Sequence, residues 1–260
     1  MRIRLETRRY DSRVVADVDV AAGGRLAQLE VGSQPLLRPP HTDDPRSIEW
    51  GCYPMAPWVG RLRGGHFELD GTLHRLPTNL GGHAIHGLVF DREWTVVAQD
   101  PASLAMSCPL GWSLGGVAMQ HLSLEEDRLT WELSVGAVEH PLVAEVGWHP
   151  WFLKPNRLEL STLAMYERGP DHLPTGRTVR PGGPPWDDCF LTNGPATLHY
   201  DRAEAPRVVV TADCDHWVVF DEPGDATCVE PQSGPPDAFN LRPRRLEPGE
   251  QLTRRMTIGW

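Results

Sequence analysis

The 260-residue chain, 40% hydrophobic, is long enough to bury a sizeable core in one large domain. Its net charge of −10 and pI near 5.5 exclude a nucleic-acid surface, which needs clustered cations to neutralise phosphates. The densest basic group, Arg242, Arg244 and Arg245, is short and interrupted by proline, and reads as solvated surface.

The N-terminal stretch "MRIRLETRRYDSRVV" lacks the apolar segment of a signal peptide. No run approaches the roughly 18 apolar residues that span a bilayer. Five cysteines, odd in number and without CxxC spacing, read as reduced thiols rather than as a disulfide framework or zinc site. These features predict a cytoplasmic protein with no membrane partner. Nothing in the sequence selects an oligomeric state.

Along the chain, alternation of apolar and polar residues dominates. In "HFELDGTLHRL" (66–76), Asp70-Gly71 sits between two short alternating runs and predicts a two-residue hairpin turn. In "LTWELSV", Leu129, Trp131, Leu133 and Val135 share one face of a half-buried strand, and "RVVVTADCDHWVVF" (207–220) alternates similarly. Glycine and proline together contribute 50 residues, so few windows can hold a helix of ten or more. The prediction is an all-β fold, a large antiparallel β-sandwich, forming a single domain over 1–260. "PGGPP" (181–185) and Pro235-Pro236 are loops rather than linkers, and no internal repeat is visible.

Four segments set polar residues in apolar surroundings. "GGHAIHGLVFDREW" (81–94) carries His83 and His86 three apart. Its glycines disfavour a helix, and on a strand the odd offset sends the two rings to opposite faces. A shared metal would need an irregular loop and a further ligand. Otherwise each is a hydrogen-bonded structural histidine or, for His86, a direct ligand contact. "AEVGWHPWF" (144–152) places His149 among Trp148, Trp151 and Phe152, and Pro150 biases it to extended backbone. Aromatic walls with one polar tip suit a sugar, and desolvation there lowers an imidazole pKa. A core histidine capped by a carbonyl fits the segment equally. In "ATCVEPQSGPPDAFN" (226–240), Glu230 precedes Pro231. It is a paired carboxylate, a strand terminus, or a base with a raised pKa. "PWDDCF" (185–190) holds two acids whose side chains diverge on extended chain, so one is expected to face a pocket and the other solvent. A weaker fifth segment, "MAPWVGRLRGGHF" (55–67), brings Arg61 and Arg63 near tryptophan, for stacking or for donation to ligand hydroxyls. No GxSxG, P-loop or dinucleotide fingerprint occurs, and no cysteine pairs with a histidine, which leaves acid–base chemistry without a covalent intermediate.

Taken in order, these segments resemble the aldose 1-epimerase (galactose mutarotase) family. "GGRLAQLEVGSQPLL" is similar to its opening strand pair, "PWVGRLRGGHFELDG" to its arginine hairpin, and "HAIHGLVFDREW" to its His-Gly segment. "GWHPWF" resembles the catalytic-histidine strand, "LPTG" (173–176) a short turn after it, "DDCF" an acidic ligand segment, and "CVEPQSGPPDAFN" the catalytic-glutamate segment. The resemblance runs from about Gly23 to Asn240. It implies a galactose mutarotase-like supersandwich that interconverts the α and β anomers of a free aldose, a small-molecule sugar, with no metal and no organic cofactor. Glu230 would be the general base and His149 the general acid, a carboxylate on one side of the sugar and an imidazolium on the other. His86, Arg61 and Asp187 would bind the sugar. Trp148 and Gly60 stand where the family often has asparagine, which bears on sugar preference. Arg63 or Arg92 could meet a phosphate if the substrate were phosphorylated. The prolines after His149 and Glu230 are expected to stiffen two strand ends. Competing readings are a sugar-binding protein without turnover, an epimerase of an unusual or phosphorylated sugar, and a glycosidase using Asp187 with Glu230.

Overall fold

A computed structural model of the protein describes residues 1–40, 47–192 and 194–260. Alternation builds two large antiparallel sheets, of eleven and eight strands, packed face to face as predicted. In Arg128–Gly136, Leu129, Trp131, Leu133 and Val135 are buried while their neighbours are partly exposed. The two sheets meet in one core, where Trp131 of the smaller sheet lies edge-on to Trp148 of the larger, their ring centroids 6.5 Å apart. Trp131 Nε1 donates to Gln120 Oε1 at 2.9 Å, and Gln120 Nε2 donates to the Gly24 carbonyl at 3.0 Å.

The hairpin forms where expected. His66–Leu69 pairs with Thr72–Arg75, and Asp70 (φ 52°) and Gly71 (φ 74°) both take the left-handed conformation that a tight hairpin turn requires. The stretch 207–220 divides differently. Arg207–Ala212 belongs to the eight-stranded sheet and His216–Phe220 to the eleven-stranded one, so Asp213–Asp215 carry the chain between layers. "LPTG" is likewise no turn: Pro174–Val179 is a strand, and only Leu173 lies in the bend before it. The one α-helix among the described residues is Ala238–Leu241, and no helix is long and apolar enough to cross a membrane. All five cysteines are buried and unpaired.

The centre of the eleven-stranded sheet positions the site. Cys52–Met55, Gly147–Leu153, Ala226–Gln232, His216–Phe220 and Asp187–Leu191 are successive neighbours. Gly147–Leu153 is buried on both faces, which explains its aromatic run. Trp148 and Phe152 enter the core between the sheets, while Trp151 packs on the opposite face with Tyr53, Met55, Phe90 and Cys228. His149 shares that second face by the period of two. Tyr53 pairs with His149, and the register of Gly147 with Gln232 and Trp151 with Cys228 sets His149 opposite Glu230. Neither proline marks a strand end, nor is Glu230 a strand terminus; all lie inside continuous strands. Pro150 and Pro231 lack the N–H a ladder needs, and the pairing of these two strands skips 148–150 and 229–231. The ladder therefore opens at His149 and Glu230.

Candidate active site

A cavity of about 240 Å³ opens on the outer face of the large sheet, and Arg61, His86, His149, Asp187 and Glu230 all line it. Residues from segments up to 169 positions apart in sequence thus share one hollow, because neighbouring strands of the sheet are distant along the chain.

His149 and Glu230 form its floor, 5% and 2% exposed. His149 Nε2 lies 3.2 Å from Glu230 Oε1, and Gln232 Nε2 donates to Glu230 Oε2 at 3.1 Å. The imidazole lies nearly parallel to Tyr53 (centroids 4.8 Å, 24°) and to Trp151 (5.4 Å, 15°). Its Nδ1 is buried without a hydrogen-bond partner among the described residues. Burial, and then the charge of Arg25, pull the His149 pKa down to about 3. Burial and then Asp187 push the Glu230 carboxyl well above its ordinary range, against the opposing pull of Gln232 and Arg61. Both groups are driven to uncharged forms, since a charge loses its hydration in this place. The sequence-based picture set an imidazolium across the sugar from a carboxylate. The two instead stand side by side on adjacent strands, with burial favouring the neutral imidazole.

His86 sits on an irregular turn. It takes φ 63°, rare for a residue with a Cβ, and Gly87 follows at φ 84°. A Cβ on Gly87 would fall 2.0 Å from the Ala56 carbonyl oxygen, so only glycine fits. The turn is tied down by His86 N donating to the Gly60 carbonyl at 2.8 Å and Leu88 N donating to that of Ala56 at 2.7 Å. The ring meets His149 edge-on at 4.8 Å. Its Nδ1 lies 3.0 Å from Met55 Sδ. A thioether has no hydrogen to give, so this contact is favourable with the proton on Nδ1, which leaves Nε2 a bare acceptor. Burial, His149, Arg61 and Arg25, in that order, hold the His86 pKa well below its usual value. His83 is elsewhere: its Nδ1 accepts from Gly64 N at 3.2 Å, so the two histidines do not converge on a shared ion. Among the described residues, the group whose donor atoms do converge is His149, Cys228 and Glu230, within 4.8 Å of one another. Its thiol is held protonated by burial, which works against its service as a thiolate ligand.

The opposite wall is ionic. Asp187 Oδ2 lies 3.9 Å from Arg61 and 3.2 Å from Arg168, and Arg168 also approaches Asp188 at 3.6 Å. The expectation that one acid of "DDCF" faces solvent does not hold. Both line the cavity, and the Asp188 side chain is only 12% exposed, because Arg168 draws the two carboxylates to one place. Burial raises the Asp188 pKa against the pull of Arg168. Sequence reasoning missed Arg168, Tyr166 and Gln232, which also line the cavity. Gln232 was legible as the residue two places after Glu230 on the same strand face; Arg168 carried no local signal. Arg63 is committed to Asp171, Asp237 and the Pro174 carbonyl, and Arg92 to the carbonyls of Pro109 and Leu110, so neither lines the cavity.

The two departures from the family pattern differ in weight. Trp148 points into the core and does not touch the cavity. Gly60 lines it at φ 54°, a left-handed conformation that glycine and asparagine adopt most readily.

The family model described as aldose 1-epimerase matches residues 20–259. A putative aldose 1-epimerase from Escherichia coli K12 superposes with a TM-score of 0.84 at 21% identity, over 100% of this chain and 99% of that one. A galactose mutarotase-like protein from Clostridium acetobutylicum gives 0.83 at 18% identity, over 99% and 97%. Galactose 1-epimerase from Lactobacillus acidophilus NCFM gives 0.76 at 16% identity, over 100% and 98%. At these identities the likeness is one of fold. No curated protein matches the chain.

Proposed function

This chain belongs to the aldose 1-epimerase family, and we propose that it interconverts the α and β anomers of a free aldose in this cavity, with Glu230 and His149 moving the protons. The observation that carries the reading is the buried contact of 3.2 Å between His149 Nε2 and Glu230 Oε1 at the cavity floor. Anomer exchange needs one proton taken from the C1 hydroxyl and one given to the ring oxygen. A carboxyl and an imidazole that together hold one exchangeable proton supply both.

Burial favours that proton on the carboxyl side, because both groups avoid charge. A bound sugar brings hydroxyl dipoles, which favour the ion-pair form in which Glu230 is carboxylate and His149 imidazolium. Glu230 then removes the O1 proton while His149 Nε2–H protonates the ring oxygen. The C1–O5 bond breaks, and the aldehyde turns about C1–C2. Closure on the other face returns the ring-oxygen proton to His149 and the Glu230 proton to O1. The pair ends as it began, and no metal or redox partner enters the balance. His86, through its bare Nε2, accepts from a sugar hydroxyl, and Arg61 donates to sugar oxygens. Asp187, held by Arg168, accepts from further hydroxyls.

An uncharged sugar fits the electrostatics better than a phosphorylated one. The two guanidinium groups that line the cavity, Arg61 and Arg168, already face Asp187 and Asp188, while Arg63 and Arg92 are engaged outside it. The test is magnetisation-exchange NMR on several free aldoses and one sugar 6-phosphate, each with an enzyme-free blank. Faster exchange of at least one free aldose is expected, with the phosphate ester at its blank rate. No acceleration of any sugar would leave binding without turnover and overturn the proposal.

A further inference from the structure

Arg25 is fully buried, at 0% exposure, and it has no carboxylate within 4 Å among the described residues. Its guanidinium donates to the carbonyls of Ser47 and Trp50 at 2.9 Å and of Ala22 at 3.3 Å. With a longer contact to the Phe90 carbonyl at 3.5 Å, backbone oxygens take four of its bonds, while Asp19 and Asp91 offset the charge only from beyond ion-pair distance. A buried cation of this kind is costly, and a well-packed apolar side chain of similar volume is often no worse for stability. Its placement suggests what the charge does. The guanidinium lies over Trp50 at 4.2 Å and over Tyr53 at 4.7 Å, and Tyr53 in turn stacks on His149 at 4.8 Å. A fixed positive charge therefore stands one aromatic ring away from the imidazole, on the side opposite the Glu230 strand.

We propose that Arg25 is a positioning residue for His149: its charge, acting through the Tyr53 ring, disfavours an imidazolium there and so places the exchangeable proton on Glu230. The inference rests on the reading of His149 and Glu230 as the proton-moving pair. Other groups face the imidazole as well. Glu230 and Cys228 lie on the neighbouring strand, both pushed toward their uncharged forms by burial. His86 meets it edge-on and is itself held neutral. Arg61 and Asp187, across the cavity, oppose one another at 3.9 Å. Arg25 is thus the cation behind the site, with no carboxylate in direct contact among the described residues. It adds to desolvation, which acts on His149 in the same direction. Burial lowers the pKa of Arg25 itself only to about 10, so it stays charged at neutral pH.

The test compares Arg25→Met and Arg25→Gln, which remove the charge, with Arg25→Lys, which keeps it and breaks the fork of hydrogen bonds. Imidazole nitrogen NMR follows His149 from pH 8 to the acid edge of the folded state, and anomer exchange is profiled over the same range. A unit charge at this remove is expected to shift the midpoint by on the order of one pH unit. The His149 midpoint and the acid limb of exchange should therefore rise by about that much in the neutral variants and stay at the wild-type position in the lysine variant. If the neutral variants titrate like wild type, or the lysine variant shifts as far as they do, the proposal is overturned. It is overturned equally if only the lysine variant folds, which would assign the charge to folding. The NMR titration does not depend on turnover. Absence of exchange by wild type would therefore overturn the proposed function while leaving the titration to judge Arg25.

Discussion

Glu230→Gln separates the proton carried by the carboxyl from its place in the packing. The glutamine side chain has the same length and can restore both contacts. Its amide oxygen accepts from Gln232 Nε2, as Glu230 Oε2 does at 3.1 Å, and its amide nitrogen donates to His149 Nε2, now 3.2 Å from Oε1. Burial already favours the uncharged carboxyl, so a neutral amide of the same shape suits the place, and the midpoint of thermal unfolding at pH 7 should stay within a few degrees. What disappears is the ability to take the C1 proton. Loss of one positioned acid–base group lowers rates by about 10²- to 10⁴-fold, equivalent to roughly 3 to 5 kcal/mol of barrier. Polarimetry of freshly dissolved α-anomer gives the rate above the spontaneous background, and calorimetry gives the melt. A variant that melts like wild type and exchanges anomers within about threefold of it would remove Glu230 from the chemistry.

His149→Asn should lose exchange on the same scale of about 10²-fold or more, measured in the same assay. The substitution also changes the response to acid. The His149 pKa falls from 6.5 unfolded to about 3 folded. Its contribution is therefore fully present above about pH 6.5 and is lost as pH falls toward 3, because the unfolded chain binds the proton first. That linkage is worth about 5 kcal/mol at its limit, so the asparagine variant should unfold less steeply with acid between pH 6 and 4. Equal slopes in a series of melts would contradict a neutral buried imidazole. Arg168→Ala frees Asp187 and Asp188 from their common partner, and should raise KM about tenfold while kcat falls by less, as expected for a group that orders binding residues rather than protons. An unchanged KM would remove Arg168 from the binding wall. Gly87→Ala forces a Cβ to 2.0 Å from a backbone oxygen at φ 84° and should cost at least about 2 kcal/mol in denaturant unfolding; an unperturbed melt would mean that the turn carrying His86 can move.

The period of two in "LTWELSV", the Asp70-Gly71 turn and the density of glycine and proline specify an all-β chain, because strand pleat and turn geometry are local properties of the backbone. Five polar residues in apolar surroundings, Arg61, His86, His149, Asp187 and Glu230, were visible for a related reason. A buried polar side chain among aromatic and small residues contradicts its local pattern. Other features depended on which strands became neighbours. Alternation continued through 207–220 and concealed the passage between sheets at Asp213–Asp215. The prolines after His149 and Glu230 read as strand ends, whereas register places them side by side in mid-sheet, where they open the ladder. Asp188 looked solvated until Arg168, 20 positions away, came to meet it. Arg25 gave no sign of its charge being buried behind Tyr53. Local sequence determined the strands, the turns and the residues that fit poorly among their neighbours. Only the tertiary structure decided that His149 and Glu230 touch and are both pushed toward their uncharged forms, since burial and the approach of distant charges arise from long-range pairing.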